Sequence, residues 1–212
     1  MTGPGIPKEF WNARFSESGF AYGDRASRLL LAFRDMFRAG QRALVPACGE
    51  GRDAVFLAEC GLDVTAVDLS SAGLEKTARL AAARDVAVTC IEADLGQWDW
   101  PQAEYDCVAA MFLHVPPAFR PVLHGKMLAA LKPGGHVFLE GFLPEQIEWQ
   151  KTHNSGGPPV LEMLFAPDDI RADFSAAEPV SFMTGIETIT EGPYHSGPAA
   201  LLRAVFRKPE TK

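Results

Sequence analysis

Among the 212 residues no two cysteines stand at a metal-ligand spacing. Cys48, Cys60, Cys90 and Cys107 form no C-x-x-C pair, which excludes a zinc array and leaves no disulfide frame to read. They are expected to be buried thiols of a reducing compartment. No apolar run approaches the roughly 20 residues that a membrane span needs, and the N-terminus lacks the basic-then-apolar order of a signal peptide. Basic side chains are outnumbered, 20 against 27 acidic, for a formal charge of -7. That balance argues against a broad surface for nucleic acid or anionic lipid. Missing too are the G-x-S-x-G elbow, the G-x-x-x-x-G-K-[ST] phosphate loop and the H-E-x-x-H zinc helix. No internal repeat, low-complexity tract or apolar heptad points to an array or sets an oligomeric state. The expectation is a soluble, cytoplasmic, single-domain chain, 47% hydrophobic and long enough to bury a sizeable core.

What is present is alternation. A helical cap is expected over residues 1–40, with Asp24 as N-cap, Leu29, Leu30, Phe33, Met36 and Phe37 on one face, and Gly40 as the stop. Strands are expected at Arg42–Ala47, Asp63–Val67, Val86–Ile91, Tyr105–Leu113 and Gly135–Leu143. Helices fall between them: one ends before Gly61, one runs from Ser70 as cap to Arg84, and one covers Ala118–Leu131 after Pro116-Pro117. Strand-helix alternation of this kind predicts right-handed crossovers and a parallel sheet covered on both faces. Residues 41–143 would form the core. The remainder, 144–212, would hold a long loop at 144–159, a short helix at Asp168–Phe174 and strands at Val180–Thr190 and Ala199–Arg207. The seven residues 192–198 are too short for a crossover helix, so the last two strands must be antiparallel. The loop at 144–159 is a lid candidate.

The first strand runs into Gly49-Glu50-Gly51-Arg52-Asp53-Ala54, a G-x-G-x-x-A turn that opens a helix. Asp68 closes the second strand 17 residues after Gly51. Such a turn lets backbone approach a ligand closely, and an acid at that tip can accept both hydroxyls of an adenosine ribose. Dinucleotides and S-adenosylmethionine share this geometry. Glu50 inside the turn disfavours a pyrophosphate. Asp94-Leu95, after the third strand, can take the adenine amino hydrogens and one ring face. The antiparallel end of the sheet also favours S-adenosylmethionine.

The stretch Leu44–Ser70, with Ala93-Asp94-Leu95 and Leu131-Lys132-Pro133-Gly134-Gly135, resembles class I S-adenosylmethionine-dependent methyltransferases. More narrowly it is similar to the small bacterial tellurite-resistance and thiopurine S-methyltransferase groups. The resemblance spans about residues 10–207. Its V-P-x-C-G turn is thiopurine-type; G-E-G-R-D-A and F-L-H-V-P-P at 112–117 are nearer the tellurite type. Val45 and Ala47 depart from many members, which carry an acid and a glycine there. The resemblance implies an α/β, doubly wound, mostly parallel seven-stranded, Rossmann-like sheet with an antiparallel C-terminal strand and an N-terminal helical cap. It also implies that Trp11, Phe15 and Tyr22 close over the cofactor. The expected cofactor set is Trp11, Tyr22, Ala47, Gly49, Gly51, Asp68, Leu69, Asp94, Leu95 and Met111.

Ligands of open parallel sheets bind beyond the carboxyl ends of the strands. His114 and, on the turn before the last strand, His195 would therefore reach the methyl acceptor, and both are candidate bases; each is also the kind of residue that packs at a strand end. His124, His136 and His153 lack acidic partners at ligand spacing, so no metal is expected. Val115 before Pro116 is not the Asn or Asp of enzymes that methylate amino groups of nucleic acids. The expected activity is methyl transfer to a small-molecule acceptor, with soft sulfur, selenium and tellurium nucleophiles among the candidates. Rival readings are an NAD(P)-dependent oxidoreductase and a non-catalytic adenosyl-binding module.

Overall fold

The computed structural model describes residues 6–210. One seven-stranded sheet runs through it in the order β3-β2-β1-β4-β5-β7-β6. The strands are β1 (Arg42–Pro46), β2 (Asp63–Asp68), β3 (Thr89–Glu92), β4 (Tyr105–Met111), β5 (Leu131–Phe142), β6 (Glu178–Thr190) and β7 (Ser196–Arg207). Neighbours among the first five pair in parallel, while β7 runs antiparallel between β5 and β6. The chain order reverses between β1 and β4, and the crevice at that reversal is where open α/β sheets take ligands.

Successive strand residues face opposite sides, and each side is covered. Leu44, Val108, Val137 and Leu139 join Leu123 and Met127 of α5 (Arg120–Ala130) and Phe174, which follows α7 (Pro167–Asp173). Ala43, Val45, Ala109 and Phe138 face Leu29 and Leu30 of α2 (Arg28–Ala32) and Leu57 of α3 (Arg52–Glu59). The second helix after the cap, α4 (Ser71–Ala83), is capped by Ser70, whose side chain accepts from the Gly73 N–H.

Several boundaries differ from those expected. The cap holds α1 (Lys8–Ser16) and the short α2, whose N-cap is Ser27 and not Asp24. The Ser27 hydroxyl meets the Leu30 N–H at 3.2 Å, whereas Asp24 lies 3.6 Å from Arg84 on the surface. The third strand starts at Thr89, where pairing with β2 begins, while Val86 and Val88 pack against Val55 of α3 and Leu80 of α4. The expected loop at 144–159 contains α6 (Gln146–Trp149) and is pinned: Gln146 is fully buried, donates to Ser155 Oγ and the Gly156 carbonyl, and accepts from the Ala200 N–H. A single glutamine inside a polar stretch gives no sequence signal for that burial. Of the cysteines only Cys107 is fully buried; the other three are half-buried and unpaired.

Candidate active site

At the carboxyl ends of β1, β2 and β4 lies a cavity of about 710 Å³, walled also by the cap, the 144–159 segment and the β6–β7 turn. It is lined by every residue of the expected cofactor set except Gly51, and by both candidate histidines. The rim exists because each parallel strand delivers its last residue to the same end.

The turn after β1 is built from left-handed backbone. Ala47, Gly49 and Gly51 have φ of 52°, 56° and 88°. Ala47 thus adopts, with a methyl group, the conformation for which a glycine is the unstrained choice. Gly51 does not face the cavity: a Cβ there would come within 2.6 Å of Thr77 on α4, so its role is close packing of helix on turn. The Asp68 carboxylate accepts from the Gly49 N–H through Oδ2 and from the Ser70 N–H through Oδ1, both at 2.8 Å. Burial pushes its pKa up, and the N–H donors of Ser70 and Gly49 counter this. Each oxygen has one lone pair left for a ligand hydroxyl. Asp94 accepts from the Gly96 N–H at 2.8 Å, which fixes its carboxylate beside Leu95, Met111 and Phe119. Carboxylates for two polar edges and an apolar slot between them fit a ribose and an adenine ring.

Glu50, expected to disfavour a pyrophosphate, has its charge taken up within the protein. It is buried, accepts from the Ala21 N–H at 2.7 Å and pairs with Lys76 at 2.7 Å. Its charge is therefore neutralised, and it ties the cap to the turn without repelling a ligand. Asn12 of α1 adds a second tie, accepting from the Ser70 hydroxyl at 2.7 Å. Phe15 covers Gly49, Trp11 stacks on Phe15 with ring centres 5.5 Å apart, and Tyr22 meets Phe15 edge-on. Arg14, unremarked in sequence, lines the cavity, donates to Tyr22 Oη at 3.2 Å and lies 3.5 Å above the Tyr194 ring. Its spacing of three from Trp11 on one helix was the available signal.

The two histidines differ. His114 has both ring nitrogens on backbone: Nδ1 lies 2.9 Å from the Met163 carbonyl, and Nε2 accepts from the Phe142 N–H at 3.0 Å. Since the Phe142 N–H can only donate, Nε2 is the lone-pair nitrogen and Nδ1 carries the proton. Burial drives its pKa down to about 4, against the Met163 bond. No lone pair is left for an acceptor's proton. His195, also buried, is clamped between Tyr22, Phe112 and Phe142 with ring centres 4.5, 4.5 and 5.3 Å away. Phe112 itself sits at φ 57° at the end of β4, strained backbone of a kind that clusters at functional positions. Of the other histidines, His124 does have an acidic partner, Asp173 at 2.8 Å from α7, which sequence spacing could not reveal. Among the described residues no three His, Cys, Asp or Glu side chains converge as metal ligands. Cys48, at the turn, has its pKa raised by burial and then by Asp68, so it stays a thiol.

Comparisons with known proteins agree with this geometry. The family described as "Methyltransferase domain" matches residues 43–135. Thiocyanate methyltransferase 1 of Brassica oleracea is 29% identical over 157 residues, 72% of this chain and 62% of that protein. An Arabidopsis thaliana protein named "Probable thiol methyltransferase 2" is 30% identical over 122 residues, 56% of this chain and 50% of its own. The chain thus spans less than two thirds of either plant protein. In fold, it superposes on TehB of Haemophilus influenzae with a TM-score of 0.70 at 13% identity, over 95% of this chain and 66% of that one.

Proposed function

We propose that this chain, whose residues 43–135 match a methyltransferase-domain family, is a class I S-adenosylmethionine-dependent methyltransferase of the tellurite-resistance and thiopurine S-methyltransferase kind and methylates a small soft nucleophile. The bound cofactor supplies a methyl group on a sulfonium, an electrophile that reacts by in-line displacement. In this reading Asp68 holds the ribose, Asp94 and Leu95 the adenine, and Met111 and Leu69 the apolar faces between them. Ala47 and Gly49 offer backbone to the amino-acid end, while Trp11 and Tyr22 close the cap over it. The family match favours methyl transfer over an NAD(P)-dependent oxidoreductase and over a non-catalytic adenosyl module.

One observation carries the choice of acceptor: the acceptor end of the cavity is aromatic, and His114 there has both nitrogens committed to backbone. A phenol, with pKa near about 10, would need a base stronger than a buried imidazole, or a metal ion, before its oxygen attacks readily. Thiols, selenols and reduced tellurium species are nucleophilic near neutrality, so alignment in a dry pocket supplies most of what they require. The names of the two plant relatives, a thiocyanate methyltransferase and a "Probable thiol methyltransferase 2", support the same class. The net charge of -7 speaks for a small acceptor and against nucleic acid, and the unpaired cysteines suit the cytoplasm. No helix among the described residues is long and apolar enough to cross a membrane.

The test is S-adenosylhomocysteine release over a panel of aryl and alkyl thiols, thiopurines, thiocyanate, selenite and tellurite beside catechols, phenols and amines. Turnover concentrated in the first set is expected. Turnover confined to the second set would overturn the assignment.

A further inference from the structure

Behind the aromatic chamber stands a charged chain that the methyl-transfer reading does not use. Glu191, at the start of the β6–β7 turn, places Oε2 at 2.9 Å from Arg52 Nη1 and at 3.5 Å from His195 Nδ1. Arg52 is itself locked by Asp53 at 3.2 Å and by the Tyr22 carbonyl at 2.8 Å. Glu191 and His195 stand four residues apart in the last hairpin, whereas Arg52 comes from α3 and its Tyr22 carbonyl partner from the cap, so only the fold brings the guanidinium to the pair. A surface ion pair would need no such convergence.

The two ring nitrogens of His195 differ in their surroundings. Nδ1 is sealed from solvent and lacks a hydrogen bond of good geometry, with Glu191 as the acid nearest to it. The edge bearing Nε2 abuts Gly156 of the 144–159 segment, where a Cβ would stand 2.7 Å from Nε2. Only a glycine fits so close beneath the ring; His195 lines the cavity, and Nδ1 is its sealed nitrogen. A carboxylate beside Nδ1 selects the tautomer with the proton on Nδ1 and the lone pair on Nε2. A carboxylate beside one nitrogen of a cavity-lining imidazole, with the lone pair on the other, is the arrangement of a general base, and in unliganded sites its hydrogen bonds are often long.

We infer that Glu191, fixed by Arg52, orients His195 so that Nε2 takes the proton of a thiol acceptor, which makes neutral thiols the substrate class of this site in preference to proton-free anions. The inference rests on the methyl-transfer reading above. As the S–H bond breaks, its proton passes to Nε2 and its electron pair forms the new S–CH₃ bond. The bond from that methyl to the sulfonium breaks, leaving a neutral thioether, and the imidazolium returns its proton to solvent.

The charge state agrees. Burial raises the Glu191 pKa, but the His195 and Arg52 contacts outweigh it and hold the group at about 2, so it is ionised. His195 is lowered chiefly by burial, raised by Glu191 and lowered again by Arg52, so the ring is neutral and able to accept at pH 7. The other titratable groups facing this assembly are Tyr22 on the cap, His114 after β4 and, behind Arg52, Glu140 on β5.

The experiment compares wild type, Glu191→Gln and His195→Gln with an alkyl thiol and with thiocyanate, which has no proton to lose. For Glu191→Gln the ratio of thiol to thiocyanate turnover should fall about tenfold at pH 7. That deficit should close as the pH rises past about 9, where the thiol ionises unaided. Imidazole nitrogen NMR of the cofactor-free protein, with the His195 signal assigned by its absence in His195→Gln, should show the Nδ1–H tautomer in wild type. In Glu191→Gln its titration should move to lower pH. Equal losses on both acceptors, a deficit independent of pH, or an Nε2–H tautomer in wild type would overturn the inference. Wild-type turnover of thiocyanate alone would overturn it while sparing the soft-acceptor reading. Turnover of neither, with hard acceptors methylated, would sink both.

Discussion

Asp68 shows how one carboxylate serves the fold and the ligand together. Its two oxygens hold the Gly49 and Ser70 N–H groups, and so shape the turn whose ligand it is proposed to bind. Asp68→Ala is therefore expected to weaken S-adenosylmethionine binding by about 1.5–3 kcal/mol, the range for hydrogen bonds to charged groups. It should also lower the stability of the cofactor-free protein, because two backbone donors lose their partner. Calorimetric titration reads the first effect and denaturant unfolding the second; full cofactor affinity in a destabilised variant would leave Asp68 a turn brace only. His114 is the opposite case. Its position at the strand end marks it as a base, yet the Met163 carbonyl and the Phe142 N–H, 49 and 28 residues away, consume both nitrogens. His114→Ala strands both backbone groups and opens a cavity, so a stability loss of about 2–4 kcal/mol is expected. The pH profile of turnover should keep its shape, and loss of an acid limb in this variant would restore His114 as base.

At the scale of elements, sequence was legible wherever a rule is local. Alternation gave the order of β1 to β5. The seven residues between the last strands forced the antiparallel hairpin, and Ser70 announced its helix. The place of the candidate site was legible to the same depth: Gly49, Asp68 and Asp94 follow strand ends and line the cavity, an address that topology gives, whereas Gly51 turned out to face Thr77. What escaped needed long-range contact. Glu50 inside the turn looked like a charge facing a ligand, and only the fold shows Lys76 and the Ala21 N–H receiving it. Glu191 lies 139 residues from Arg52 in sequence, beyond any spacing rule. The 144–159 segment looked free because its composition is loop-like, whereas buried Gln146 fastens α6 to β7 and to Gly156. Gln146→Ala should release that strap. Amide exchange in residues 150–160 should accelerate by at least about tenfold, since removing buried hydrogen bonds lowers local opening free energy by more than 1 kcal/mol. The acceptor KM should rise with it; exchange confined to wild-type rates would mean that Phe142 and Leu164 alone hold the segment down.

For the whole molecule the buried charges set a pH dependence of mixed sign. His114, His195 and His136 are all lowered by burial, so acid protonates the unfolded chain first and stability falls as pH drops below about 6.5. Glu140 works in the other direction. It is fully buried on β5 beside Arg203, with Oε2 unpartnered, and burial outweighs the Arg203 contact to push its pKa up to about 7. Folded protein then holds that proton where unfolded protein, with an ordinary glutamate, has released it. Its contribution is complete below the unfolded value and disappears as pH rises through about 7. The stability of wild type relative to Glu140→Gln should accordingly increase as pH falls from 7 toward about 4.5, by at most about 1.4 kcal/mol per pH unit. Arg203 keeps Glu187 as a partner in the variant, so the comparison does not strand its charge. Urea unfolding of both proteins across that interval measures the difference. A difference that stays constant with pH would mean that Glu140 is ionised in the folded state, with the Arg203 pair outweighing burial after all.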